Sequence, residues 1–120
     1  MAVEGRQDRW AFKAGADLTA AQYKAVKLDA NGNIVLAGAG EAAVGILVDM
    51  PAAGEYGTVA VDGIAKAVAG GAVTPGVLLA ADANGAVVAA VAGNHIIGQA
   101  LSGASAAGEL VTLVLARGVA

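Results

Sequence analysis

The chain of 120 residues is predicted to be all-β: a small, compact β-barrel or β-clip-like domain of two related hairpin units, with an extended N-terminal arm and little or no helix. Three observations carry that expectation. The tetrapeptide Asp29-Ala30-Asn31-Gly32 recurs letter for letter as Asp82-Ala83-Asn84-Gly85, at an offset of 53. Both copies lie between short β-prone runs, where an Asn-Gly step signals a hairpin; its two central residues need positive φ, which Gly adopts freely and Asn tolerates. Finally, the apolar runs are brief and are cut by Gly, Asp or Pro every few residues.

Taken in order, residues 1–14 read as the arm. Trp10 and Phe12, the only Trp and Phe of the chain, share one side of an extended strand at period two. They are flanked by Arg6, Arg9 and Lys13, and the five residues are candidate contacts to a neighbouring subunit or partner, because aromatic and Arg side chains are enriched as interface anchors. An ordinary first strand covering the core is the competing reading. Residues 15–120 form a single β domain. Asp17 to Tyr23 admits one helical turn, capped by Asp17 or Thr19. Strands are expected over residues 23–29, 34–37, 44–49 and 58–62, and, after Gly63, over 64–69. The second half repeats the pattern and ends in a strand over residues 110–116.

The repetition extends past the turns. Ile34-Val35 matches Val87-Val88 and Val44-Gly45 matches Ile97-Gly98 at offset 53; Gly54-Glu55 matches Gly108-Glu109 and Thr58 matches Thr112 at offset 54. This gives an internal pseudo-repeat of about 23–63 and 77–117, two units rather than a solenoid, which needs at least three. Asn31, Gly32, Asn84 and Gly85 are then structural turn residues. Residues 110–115 are apolar on both faces, so both faces need cover. A subunit interface is a candidate for the second cover.

Composition narrows function. Of 120 residues, 32 are alanine and 18 glycine, so large apolar side chains are scarce and burial between subunits is the natural supplement to a thin core. No cysteine is present, which excludes disulfides and thiolate chemistry. Residues 1–27 carry five basic and three acidic side chains, and the rest two basic and seven acidic. An acidic body argues against nucleic acid as a partner. No apolar run nears the roughly 20 residues of a membrane span. Glu4, Arg6, Asp8 and Arg9 stand where the apolar part of an export signal would begin, so use without such a signal is expected.

No catalytic, metal or cofactor site is expected. Gly38-x-Gly40-x-x-Ala43 imitates a dinucleotide fingerprint, with Asp62 as its acid, but Gly45, Pro51 and Gly54 interrupt the helix that site requires. His95 is the only histidine and has no ligand spacing around it. Ser102 and Ser105 lack a nucleophile elbow. The Asp-x-Asn-Gly turns are too short for a calcium loop and lack its later Glu; Asp29 and Asp82 suit backbone bonds within a turn.

The run Trp10-Ala11-Phe12-Lys13-Ala14-Gly15-Ala16-Asp17-Leu18, then residues 21–28 and 45–47, with Gly54-Glu55, residues 59–64 and Ala80-Ala81-Asp82, resembles the small Ala/Gly-rich capsid decoration (cement) proteins of tailed bacteriophages. The resemblance spans roughly residues 9–116. It implies a non-enzymatic virion protein, often trimeric, assembled in the host cytoplasm on the outside of the expanded head, with the major capsid protein and its own copies as partners. It also implies that an arm matching about Val3 to Lys13 touches the capsid. A head-fibre base or an adhesin-like surface module is the alternative; Tyr23 and Tyr56 are the only body aromatics to serve a glycan site.

Overall fold

Both hairpin turns form where the sequence predicts, but only their glycines take positive φ, not Asn31 or Asn84: the Gly32 N–H donates to the Asp29 carbonyl at 3.1 Å, so Ala30 and Asn31 are the central pair. In the computed structural model of the chain, which describes residues 2–120, Asp29 Oδ1 accepts hydrogen bonds from the Asn31 and Asn33 N–H groups, both at 2.9 Å. Asp82 Oδ1 does the same for Asn84 and Ala86 at 2.8 and 3.0 Å. Gly32 and Gly85 take φ of 78° and 77°, the left-handed conformation each turn demands.

Nine strands follow among the described residues: β1 (Gln7–Lys13), β2 (Ala25–Leu28), β3 (Ile34–Leu36), β4 (Gly45–Leu47), β5 (Tyr56–Val68), β6 (Leu78–Ala81), β7 (Val87–Ala89), β8 (His95–Ala100) and β9 (Leu110–Val119). They form one antiparallel sheet in the order β3-β2-β4-β5-β9-β8-β6-β7, with β1 also on β5. The path is palindromic, because the two units share one connectivity. Val26↔Leu36, Lys27↔Val35 and Leu28↔Ile34 recur as Leu79↔Ala89, Ala80↔Val88 and Ala81↔Val87 at offset 53. Ala25↔Ile46 recurs as Leu78↔Gln99. Leu47↔Val59 recurs as Ala100↔Leu113, the last strand having gained one residue.

The repeat reaches further back than the sequence suggested. β1 pairs the first half of β5 (Trp10↔Val59, Phe12↔Gly57), and the second half of β5 pairs β9 in the same way (Ala65↔Leu113, Ala67↔Val111). β1 is therefore the counterpart of residues 64–68, and β5 serves as last strand of the first unit and first strand of the second. Each unit curls until a single parallel bridge closes it, Ala14 to Ile34 and Ala69 to Val87. Gly63, expected to separate two strands, lies inside β5 at φ 95°; a Cβ there would run into the Arg6 carbonyl. Over Gln7–Lys13 the segment read as an arm is a strand of the sheet; Met1 lies outside the described residues.

The cores match position by position. Ala14, Leu18, Val26, Ile34, Leu47 and Val59 fill the first unit, and Ala69, Val73, Leu79, Val87, Ala100 and Leu113 fill the second. Each large aliphatic side chain so buried stabilises the fold by about 1.5–3 kcal/mol. Ala25, Ala37, Ile46 and Ala60 belong to the first unit but pack with the second unit's core, forming the seam between the two.

Two expectations are corrected. Asp17 to Tyr23 makes consecutive turns and no helix: Asp17 Oδ1 accepts the Thr19 N–H at 3.1 Å, and Tyr23 takes a left-handed φ of 64° that no α-helix admits. The outer face of β9 at Thr112 is covered within the chain. Thr112 Oγ1 accepts from the Val3 N–H at 2.6 Å and donates to the Val3 carbonyl at 2.8 Å.

Candidate interaction surface

The residues singled out in the sequence divide by what the fold does with them. β1 has one neighbour, β5, so its other edge is open. In this register the Ala11 and Lys13 N–H groups point out of that edge. Trp10 is 65% exposed, whereas Phe12 is half-buried against the first unit's core. The indole is not needed to build a unit: its register counterpart is Ala65, small and buried. Arg9 is tied locally, Nε donating to Gln7 Oε1 at 2.6 Å and Nη2 lying 3.5 Å from Glu4. Glu4 also lies 3.9 Å from Lys66 Nζ, which in turn sits 4.8 Å above the Tyr23 ring. The Arg6 and Lys13 side chains are exposed and make no hydrogen bond or ion pair among the described residues.

The turn residues are not equivalent in their surroundings. Asn31 and Gly32 are exposed, and nothing lies within 4 Å of a Cβ placed on Gly32. Asn84 is exposed too, but Gly85 is buried, with Leu36 Cδ2 and the Ala25 carbonyl 2.9 and 3.0 Å from such a Cβ.

Several of the chemistry-like positions are engaged within the fold. Glu41 turns back on the Gly38-Gly40 loop, Oε1 accepting the Gly38 N–H at 2.6 Å while Lys27 Nζ donates to it at 2.9 Å. That lysine, then the Gly38 N–H, holds the Glu41 carboxyl below the usual range. Ser102 Oγ accepts the Thr112 N–H, and Ser105 Oγ donates to Glu109 at 2.7 Å, which lowers the Glu109 carboxyl likewise. A cleft of about 400 Å³ lies between the units, lined by Gly45, Asp62, Ile97 and Arg117. Arg117 Nη1 and Nη2 are already used across it, donating to the Ala43 and Val44 carbonyls at 2.8 and 2.9 Å. Among the described residues no group of three His, Asp or Glu could hold a metal ion. The open edge of β1, with the exposed Trp10, is the candidate interaction surface.

Sequence reasoning missed two further exposed apolar positions. Leu28 and Leu78 are exposed, although their counterparts at offset 53, Ala81 and Ala25, are buried. Laying one copy of the repeat on the other and looking for a leucine against an alanine finds both.

A family model described as phage cement protein matches residues 11–116. No curated protein matches the sequence. Among solved structures, the N base of the head fibre gp8.5 of bacteriophage phi29 superposes with a TM-score of 0.74, at 19% identity, covering 96% of this chain and 98% of that one. At that identity the likeness establishes the barrel-like all-β fold.

Proposed function

The chain belongs to the phage cement protein family, and from that premise we propose that it binds the outer surface of the expanded head and stabilises it by bridging neighbouring capsid subunits as a homotrimer, catalysing no reaction. The observation that carries the reading is Trp10 standing 65% exposed on an open edge strand beside Arg9 and Lys13. A fold that places Ala at the same position of its second unit has no need of that indole. A partner does. Basic side chains at residues 6, 9 and 13 suit an acidic capsid face, and Phe12 supports the strand from beneath. Binding only the assembled, expanded state shifts its stability by mass action, so many copies each contributing a few kcal/mol resist internal pressure. Assembly on the virion surface in the host cytoplasm follows from the same reading.

The test is co-sedimentation with purified expanded heads. Trp10→Ala is expected to weaken binding by more than about 1 kcal/mol, roughly fivefold or more, and Arg6→Ala with Lys13→Ala to weaken it at low salt and make it less salt-sensitive. Binding unchanged in both variants would remove β1 from the contact. Deleting residues 1–13 is not a clean test, because β1 closes the first unit.

A second reading has its own support. The phi29 protein of matching fold is the base of a head fibre, and this chain could likewise seat a projecting element on the head. Particle images decide between them: a bare knob at each site supports cementing alone, and a projection above it supports the base.

A further inference from the structure

The two units meet through a contact that uses the leading edge of one unit and the trailing edge of the other, and each edge has a free counterpart at the far side of the chain. Four backbone hydrogen bonds define the contact: Val68 N–H to the Tyr23 carbonyl at 2.8 Å, Ala25 N–H to the Gly85 carbonyl at 2.7 Å, Gly40 N–H to the Ala81 carbonyl at 2.9 Å, and His95 N–H to the Gly40 carbonyl at 3.0 Å. The second unit thus leads with Val68, Ala81 and Gly85, and the first unit trails with Tyr23, Ala25 and Gly40. A two-fold relation between the units would produce the reciprocal contacts as well. It does not, since nothing lies within 4 Å of a Cβ at Gly32.

By register, the first unit's own leading edge is Lys13, Leu28 and Gly32, and the second unit's own trailing edge is Gly76, Leu78 and Gly93. The ladder leaves the Lys13 and Leu78 N–H groups pointing outward, and among the described residues neither has a hydrogen-bond partner. The side chains tell the same story. Ala25 is 0% exposed and its counterpart Leu78 44%; Ala81 is 3% exposed and its counterpart Leu28 45%. Positions sealed inside the chain carry a larger apolar side chain where they are left open. One corner is already taken, the Gly93 N–H donating to the Ala120 carbonyl at 2.9 Å.

We propose that copies of this chain associate head to tail, the Leu28–Gly32 edge of one copy's first unit seating on the Leu78 edge of the next copy's second unit, in the manner the two units already meet within one chain. This rests on the homotrimer reading above and names its interface. A contact between unlike surfaces repeats until a ring closes; with three copies the ring holds six units. Leu28 and Leu78 supply the apolar centre, and the Lys13 and Leu78 N–H groups gain acceptors on the neighbour.

The test uses Leu28→Asp and Leu78→Asp, with light scattering after size exclusion of the full chain at micromolar concentration. Both sites are exposed, so circular dichroism and melting temperature should stay at the parent values. The expected result is an oligomeric parent and two monomeric variants that, mixed in equal amounts, form a dimer, because each retains the one edge that the other lacks. Parent protein running as a monomer would sink the trimer reading and this interface together. A parent oligomer that survives both substitutions would sink the interface alone. Monomeric variants that fail to pair when mixed would overturn the head-to-tail polarity.

Discussion

Tyr23 and Gly76 occupy the same place in the two units, 53 residues apart, and both adopt left-handed backbone, at φ 64° and 90°. Tyr23 is the only non-glycine residue with positive φ among those described. Its carbonyl takes the Val68 N–H at 2.8 Å and its ring lies under Lys66, so the seam holds it in a conformation that costs an L-residue about 1–2 kcal/mol. Replacing Tyr23 by Ala removes the ring and keeps the strain; replacing it by Gly removes both. Tyr23→Gly is therefore expected to be more stable than Tyr23→Ala by about 1 kcal/mol, the reverse of the usual order in an extended segment. Urea denaturation of the two variants measures the difference, and equal midpoints would show that the position is unstrained.

The two Asn-Gly turns should respond unequally to the same substitution. Gly32→Ala places its methyl in open space and meets only the left-handed penalty of about 1–2 kcal/mol. Gly85→Ala meets the same penalty and also crowds Leu36 and the Ala25 carbonyl at the seam. Its loss of stability should be the larger by at least about 1 kcal/mol. Matching losses would mean that the seam yields freely.

Gly45 and Gly98 form another matched pair. A Cβ on Gly45 would strike the Ala60 carbonyl, and one on Gly98 the Val114 carbonyl, one strand over in each unit. Neither obstacle is a flexible side chain. Gly45→Ala and Gly98→Ala should each cost more than about 3 kcal/mol, read as a fall in melting temperature or as insoluble expression.

Thr112 fixes the chain's first residues to β9 through two bonds from one hydroxyl. Thr112→Val keeps the shape and removes both. We expect a loss of about 1–2 kcal/mol and faster amide exchange confined to the residues around Val3. Unchanged exchange there would show that other contacts hold the segment.

Acid should loosen two loops before the core. Glu41 and Glu109 are held below the ordinary glutamate value of 4.5, by Lys27 and by Ser105 first. A carboxylate whose value is lowered on folding contributes stability that is fully present above its unfolded value and is lost as the pH falls through the folded one. Melting temperature should therefore decline as the pH drops below 4.5, and Glu41→Gln with Glu109→Gln should flatten that decline. Both groups are exposed, so the effect is small and weakens with salt.

Much of the fold was legible from residue order because turn chemistry is local. Asp-Ala-Asn-Gly declares its hairpin within four residues, and the Gly45/Gly98 match reports a close approach that only a bare Cα permits. The family resemblance, too, was carried by the sequence. The role of β1 was not legible. Its partner lies near residue 59, and its counterpart in the second unit shares little beyond Ala14-Gly15 against Ala69-Gly70. Trp10 against Ala65 and Lys13 against Val68 conceal the equivalence. The continuity of β5 was hidden for a similar reason: Gly63 reads as a break, and only the nearness of the Arg6 carbonyl shows why a glycine stands in mid-strand. The seam was invisible because alanine is everywhere in this chain, and nothing local marks Ala25 and Ala37 as buried between units.

β5 passes through both units without a joint. Tension drawn across the molecule from one unit to the other runs along this strand and loads its rungs to β1, β4 and β9 in shear, many at once. A flexible connector would let the halves part by unzipping one rung after another. Here they cannot separate without tearing both barrels, so the molecule answers a pull between its two units as a strut and not as a hinge.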